Sequence, residues 1–178
     1  MIGIMPNVIS ALFETGQTVP LEAGQTAFRT GDRVLSMYLV VEGGVDLVRY
    51  TASGTSLILN RVSLGNVLAE ASAYSGQYHC DGLASTKSQL RSLPVSQFLE
   101  RLHGSADAAR TWAARLAREL QNARTQSEIR SLKTVAERLD AWLGFSNTLP
   151  PRGEIQDLAR VLGVSREALY RELARRRK

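Results

Sequence analysis

Two arginines, a glutamate, a serine and a tyrosine fall within the stretch Ser165-Arg166-Glu167-Ala168-Leu169-Tyr170-Arg171. Their side chains suit the polar edges of a nucleic acid duplex. A guanidinium donates two parallel N–H bonds, which match guanine O6 and N7, and a carboxylate accepts from cytosine N4. Arg166 and Arg171 are accordingly the expected guanine readers, and Glu167 the expected cytosine contact. The hydroxyls of Ser165 and Tyr170 suit phosphate oxygens, which orient a protein without specifying sequence. A solvated helix surface could carry the same residues, so the reading depends on the elements that hold them.

Those elements are legible from Glu154 to Arg175. Ile155, Leu158, Ala159 and Leu162 recur at i, i+3, i+4 and i+7, the spacing of a short amphipathic helix. Gly163 can end it, because glycine tolerates positive φ. Val164 can fill the corner. Ser165 is a favoured N-cap whose hydroxyl accepts a backbone N–H two or three residues on. A second helix then buries Ala168, Leu169 and Leu173 and exposes Arg166, Glu167, Tyr170 and Arg171. Two helices about a glycine corner, the second capped and polar in its first turn, predict a helix-turn-helix whose second helix enters the major groove.

Charge agrees with a polyanionic partner. Residues 1–100 hold 6 Lys and Arg against 8 Asp and Glu, whereas residues 101–178 hold 16 against 9, within a net charge of +5. Such asymmetry suggests a polyanion, as double-stranded DNA is, or an acidic membrane surface, and on charge alone a solvated arginine-rich helix surface accounts for it equally well. No run approaches the roughly 18 apolar residues of a membrane span, so no membrane partner is expected. Nor does the N-terminus read as a secretory signal, and a cytoplasmic setting follows. Cys80 is the lone cysteine of the 178 residues, which excludes an internal disulfide and a four-cysteine cluster.

The preceding sequence must position this segment. Between Val19 and Leu93, short apolar runs (Val34 to Val41, Val45 to Tyr50, Leu57 to Leu59) alternate with turn signals at Gly43-Gly44, Gly54 and Gly65, which predicts an antiparallel roll or sandwich. Pro94 opens a helix with Val95, Phe98, Leu99 and Leu102 as its stripe. From Ala106 to Leu143 there is neither proline nor glycine, so a long helix follows, with a bend expected at Gln126 to Arg130. Trp112, Leu116, Leu120 and Ala123 form one narrow stripe, read here as a seam between two subunits, the alternative being packing onto the chain's own roll. Leu132, Val135, Ala136, Leu139 and Leu143 form a second. Gly144 to Gly153 reads as a linker.

With these residues in view, the chain resembles the cyclic-AMP receptor protein and Fnr family of transcription regulators. The resemblance runs from about Gly24 to Arg175. Its most specific part is Leu162-Gly-Val-Ser-Arg-Glu-Ala-Leu-Tyr-Arg171, where Arg166, Glu167 and Arg171 match the family's base-reading positions. Ala136-Glu-Arg-Leu-Asp-Ala-Trp-Leu143 is similar to the helix after the family's dimerisation helix, and Gly31-Asp32 and Glu42-Gly43-Gly44-Val45 to its roll turns. The resemblance implies an α+β chain: an antiparallel β-roll effector domain over residues 1–104, a dimerisation helix over 105–130, and a helix-turn-helix domain over 131–178. It implies a homodimer on palindromic DNA, with RNA polymerase as a candidate further partner.

Two departures qualify it. Family members that bind cyclic nucleotides follow a Gly-Glu-Leu segment with an Arg-Ser or Arg-Thr pair, the Glu engaging the ribose and the Arg the cyclic phosphate. Here the matching residues are Ala69-Glu70-Ala71 and His79-Cys80, followed by Asp81. Burying a phosphate without a cation is costly. Glu70, His79 and Cys80 therefore mark a candidate effector pocket for which no cyclic-AMP binding of the usual kind is expected. Neither His79 nor His103 has a spacing that indicates haem, no metal-ligand pair stands out, and no cofactor is expected. Cys80 beside His79 could serve as a redox sensor, or be a small buried residue. The second departure is that the family's C-terminal β-hairpin wing has no counterpart before Lys178, where the basic Arg175 to Lys178 could supply phosphate contacts instead. No nucleophile elbow, phosphate loop or catalytic dyad is present, so an enzyme is not expected. Two alternatives to a DNA-binding regulator stay open: a small-molecule receptor acting through the roll, and a protein-interaction module that has lost DNA binding.

Overall fold

A computed structural model describes residues 8–146, 148–151 and 155–176. The expected Glu154 at the start of the helix-turn-helix, Asn147 and Gly153 of the linker, and the basic Arg177 and Lys178 lie outside them. The chain divides into two compact units, Met1–Leu116 and Ala117–Lys178.

The first unit is the roll. After a short helix α1 (Val8–Ala11) come β1 (Gln17–Leu21), β2 (Thr26–Phe28), β3 (Ser36–Glu42), β4 (Gly44–Tyr50), β5 (Ser56–Ser63), β6 (Val67–Leu68), β7 (Asp81–Ala84) and β8 (Ser88–Pro94). They form two four-stranded sheets, ordered β1-β8-β3-β6 and β2-β7-β4-β5, with antiparallel neighbours. The alternation read in the sequence is real in β4, where Val45 and Leu47 are buried and Asp46 is not. The β3–β4 turn requires glycine: Gly43 has φ +78°, and a Cβ there would collide with the Lys87 carbonyl and the Ser88 hydroxyl. That hydroxyl is itself buried and accepts from Gly44 N–H at 3.0 Å, tying the turn to β8.

Pro94 closes β8 and caps α2 (Val95–His103), one residue before the helix the sequence starts with it. Phe98 and Leu102 of α2 are fully buried. Phe98 meets Phe13 at 5.5 Å and the Trp112 ring edge-on at 5.1 Å. This contact corrects the subunit-seam reading for Trp112 and Leu116 of that stripe. Trp112 and Leu116, in the first half of α3 (Ala106–Ser131), pack into the core of the chain's own roll. A large aromatic side chain gains most from the nearest apolar core. Beyond them the helix is uncovered: residues 117–124 are exposed on every side, with Leu120 at 52%.

The second unit is helical. The helix break falls at 132–134 rather than at 126–130, because Thr134 starts a new helix through a capping box. Its Oγ1 accepts from Glu137 N–H at 3.1 Å, and the Glu137 carboxylate accepts from Thr134 N–H at 2.8 Å. Helices α4 (Val135–Ser146), α5 (Ile155–Leu162) and α6 (Arg166–Arg175) follow. Ile129, Leu139, Ile155, Leu158, Ala159, Leu162, Leu169 and Leu173 form their common core. No helix among the described residues is long and apolar enough to cross a membrane.

Candidate nucleic-acid interface

Helices α5 and α6 meet at Gly163, which adopts φ +65°. Val164 packs into the corner, half-buried. Ser165 caps α6: its backbone is extended, and its hydroxyl accepts from Ala168 N–H at 3.1 Å. With the cap fixed, the helical period decides which side chains face out. Leu169 and Leu173 are buried, Ala168 is half-buried, and Ser165, Arg166, Glu167, Tyr170 and Arg171 are all exposed.

The exposed group is ordered by its own contacts. The Arg166 guanidinium lies over the Tyr170 ring, 5.4 Å from its centre. This arrangement restrains a long side chain that would otherwise lose rotamer freedom on binding. The Glu167 carboxyl is held below its ordinary range by its own backbone N–H and by Ser165, so it is an ionised acceptor at neutral pH.

The C-terminal arginines are used differently from the sequence expectation. Glu172, buried between α6 and α4, binds Arg175 at 2.8 and 2.9 Å and Arg176 at 2.7 Å. Arg176 also reaches α4, where it pairs with Asp140 at 2.5 Å and donates to the Ala136 carbonyl at 3.0 Å. Arg176 thus fastens the end of α6 to α4, whereas Arg175 pairs within its own helix and stays exposed. A Glu followed by Arg at i+3 and i+4 is a legible signal that the sequence reading passed over.

In the roll, the residues marked as an effector pocket are not equivalent. Ala69 takes the left-handed conformation (φ 47°, ψ 48°) at the start of the 3₁₀ turn Glu70–Tyr74. Glu70 is half-buried and His79 is exposed. The Cys80 thiol is fully buried, and burial pushes its pKa up to about 11 against the opposing effect of the Arg49 guanidinium. A thiol so protonated is a poor nucleophile, which corrects the redox-sensor reading. Arg49 is the cation the sequence reading missed. It comes from β4 and donates to the His79 carbonyl at 2.9 and 3.2 Å. Asp81 is turned to β2–β3, accepting from Thr30 N–H and Oγ1 at 2.7 Å each. No cluster of metal-ligating side chains occurs among the described residues.

Residues 18–104 match the cyclic nucleotide-binding domain family. The chain is similar in structure to the catabolite activator protein of Thermus thermophilus, with 25% identity, 97% of this chain and 84% of that one covered, and a TM-score of 0.59. It is similar to the c-di-GMP responsive global regulator CLP of Xanthomonas campestris, at 20% identity over 96% and 90%, with a TM-score of 0.66. The sensor domain of the transcriptional regulator DNR from Pseudomonas aeruginosa matches at 25% identity over 74% and 86%, with a TM-score of 0.56. No curated protein matches the chain. The roll thus has the fold of the cyclic nucleotide-binding domain family. The chain as a whole has the α+β fold of the Crp/Fnr transcriptional regulators, whose resemblance was carried in the sequence by residues 162–171.

Proposed function

We propose that this protein is a sequence-specific, DNA-binding transcription regulator that works as a homodimer. The observation that carries the reading is the capped α6, which buries Leu169 and Leu173 and turns Ser165, Arg166, Glu167, Tyr170 and Arg171 to solvent on its first turns. Arg166 and Arg171 read guanines, Glu167 accepts from cytosine, and Ser165 and Tyr170 contact phosphates. The uncovered stretch of α3 supports the dimer. Ala113, Ala117 and Leu120 share a face at i, i+4 and i+7, and a second copy would cover them. Two recognition helices about 34 Å apart then meet a palindrome one helical turn between half-site centres. Selection from random duplex DNA tests this. A palindrome with guanines at the contacted positions is expected. Arg166→Ala should weaken the selected site by about 1–3 kcal/mol and relax specificity there. Equal loss on every sequence would show a phosphate contact instead.

The roll does not fit a cyclic phosphate in the family's manner. An exposed imidazole and a buried thiol stand where the arginine and hydroxyl would be, and the Arg49 guanidinium is spent on a carbonyl. The roll in this reading acts as a scaffold or senses another signal. A calorimetric titration with cyclic nucleotides decides it, since micromolar binding would overturn this reading of the roll.

A further inference from the structure

The carboxyl end of α5 and the corner after it present carbonyl oxygens that helix bonds leave short of partners. Two guanidinium groups from outside the motif reach four carbonyls there, of which that of Arg160 also accepts from Gly163 N–H at 3.1 Å. Arg130, in the last turn of α3, donates from Nε to the Val161 carbonyl at 3.1 Å and from Nη2 to the Arg160 carbonyl at 2.9 Å. Arg138, on α4, donates from Nη1 to the Leu162 and Gly163 carbonyls, each at 3.1 Å, and from Nε to the Leu132 carbonyl at 2.9 Å. The Arg130 stem lies over Gly163, where an added Cβ would stand 3.2 Å from its Cγ. Cations at a helix carboxyl end are also favoured by the backbone dipoles.

We infer that Arg130 and Arg138 are positioning residues for base reading. They fix the corner from which α6 departs, and so set where Arg166 and Glu167 point, without touching DNA. The corner lies two residues before the Ser165 cap and three before Arg166, leaving little chain to absorb an error. Base readout needs placement within a fraction of an ångström. The guanidinium fork is what the geometry demands, since its N–H groups reach two adjacent carbonyls in one plane; an ammonium is a point donor that holds one. Because Arg130 belongs to α3, the clamp ties the helix proposed to carry the subunit seam to the aim of the recognition helix. This inference rests on the DNA-binding reading.

Two variants of the full chain, Arg130→Ala and Arg130→Lys, test it. Arg130 is exposed, so both should fold with melting midpoints near the parent. Amide hydrogen exchange without DNA comes first: the hydrogen-bonded amides of Gly163, Val164, Ala168 and Leu169 should lose protection about tenfold in both variants, as expected when hydrogen bonds from a charged donor are lost. Unchanged protection overturns the clamp. The second readout is the ratio of affinity for a selected duplex to that for a scrambled one. It should fall about tenfold in the Ala variant and several-fold in the Lys variant. Equal weakening on both duplexes, or a Lys variant identical to the parent, would show that Arg130 only supplies charge to a phosphate, and overturns the inference. If the parent protein selects no duplex, the DNA reading fails, and the exchange result alone then decides whether the clamp exists.

Discussion

Replacing Ala69 by glycine should leave the roll about as stable as before, although alanine-to-glycine changes in a buried core normally destabilise. Ala69 is 2% exposed and is the one non-glycine with positive φ among the described residues. Three contributions decide the outcome. Removing the buried methyl costs about 0.8 kcal/mol. The extra freedom of an unfolded glycine costs about 0.5–1 kcal/mol. Against these, an alanine forced into the left-handed region carries about 1–2 kcal/mol of steric cost, which glycine relieves. The sum lies within about 1 kcal/mol of zero. Ala84 in β7 supplies the comparison. It is equally buried, at 1%, and its φ is not positive, so Ala84→Gly meets the first two costs without the relief. Ala84→Gly should therefore exceed Ala69→Gly in destabilisation by about 1–2 kcal/mol. Urea unfolding followed by Trp112 fluorescence, in a Trp142→Phe background, reports on the roll, because Trp112 sits in its core. Equal destabilisation by the two variants would refute the left-handed backbone at position 69.

Ser165→Ala removes the α6 cap and should lower the stability of the helical unit by about 1 kcal/mol, read as a lower melting midpoint of the helical signal, while Ser165→Asp keeps it. An unchanged midpoint in the alanine variant would mean the cap bond does not form. Glu172 titrates at about 2, far below its ordinary 4.5, because of Arg175 first and Arg176 second. Its contribution to stability is thus fully present above about pH 4.5 and lost as the pH falls toward about 2. Glu172→Gln should flatten the acid limb of the melting-temperature profile, and a profile parallel to the parent's would count against the ion pairs. Cys80, with its thiol buried and raised to about 11, should resist a thiol-disulfide reagent at neutral pH until the roll unfolds. Prompt labelling of the native protein would show it accessible.

The parts of the fold readable in the sequence are those set by local rules. Gly163, Ser165 and the period of Ile155, Leu158, Ala159 and Leu162 each act within a few residues, and the two helices lie where that spacing put them. The strands around Gly43-Gly44 were legible for the same reason. What was misread depends on contacts between distant segments. Whether Trp112 faces its own roll or another subunit is decided by Phe98, fourteen residues back, and Phe13 beyond it. The partners of Arg49 and Arg130, and those of Arg138 at Leu162 and Gly163, lie 24 to 31 positions away along the chain. No helical or strand period relates such residues. Thr134 and Glu137 do lie within a local rule, and the capping box that places the helix break was available and not applied.

The two units differ in what packing alone explains. Backbone strain persists where the surroundings over-determine it. At Ala69 those surroundings are visible: Val67 and Leu68 before it, and Ser72 and Ala73 after it, are all buried, so the left-handed turn follows from the roll's own core and needs no ligand to hold it. The exposed face of α6 has no such account. Core packing places Leu169 and Leu173, the pairing of Glu172 with Arg176 explains the first, and the Arg176–Asp140 pair with α4 explains the second. Nothing in the fold requires an arginine stacked on a tyrosine beside an ionised glutamate on the outer side of the same helix. A fold can be inherited with or without its activity, and function is argued from the side chains that packing leaves unexplained. In this chain those are on α6, which is why the proposed function is argued from the helical unit and leaves the response of the roll as the dependent question.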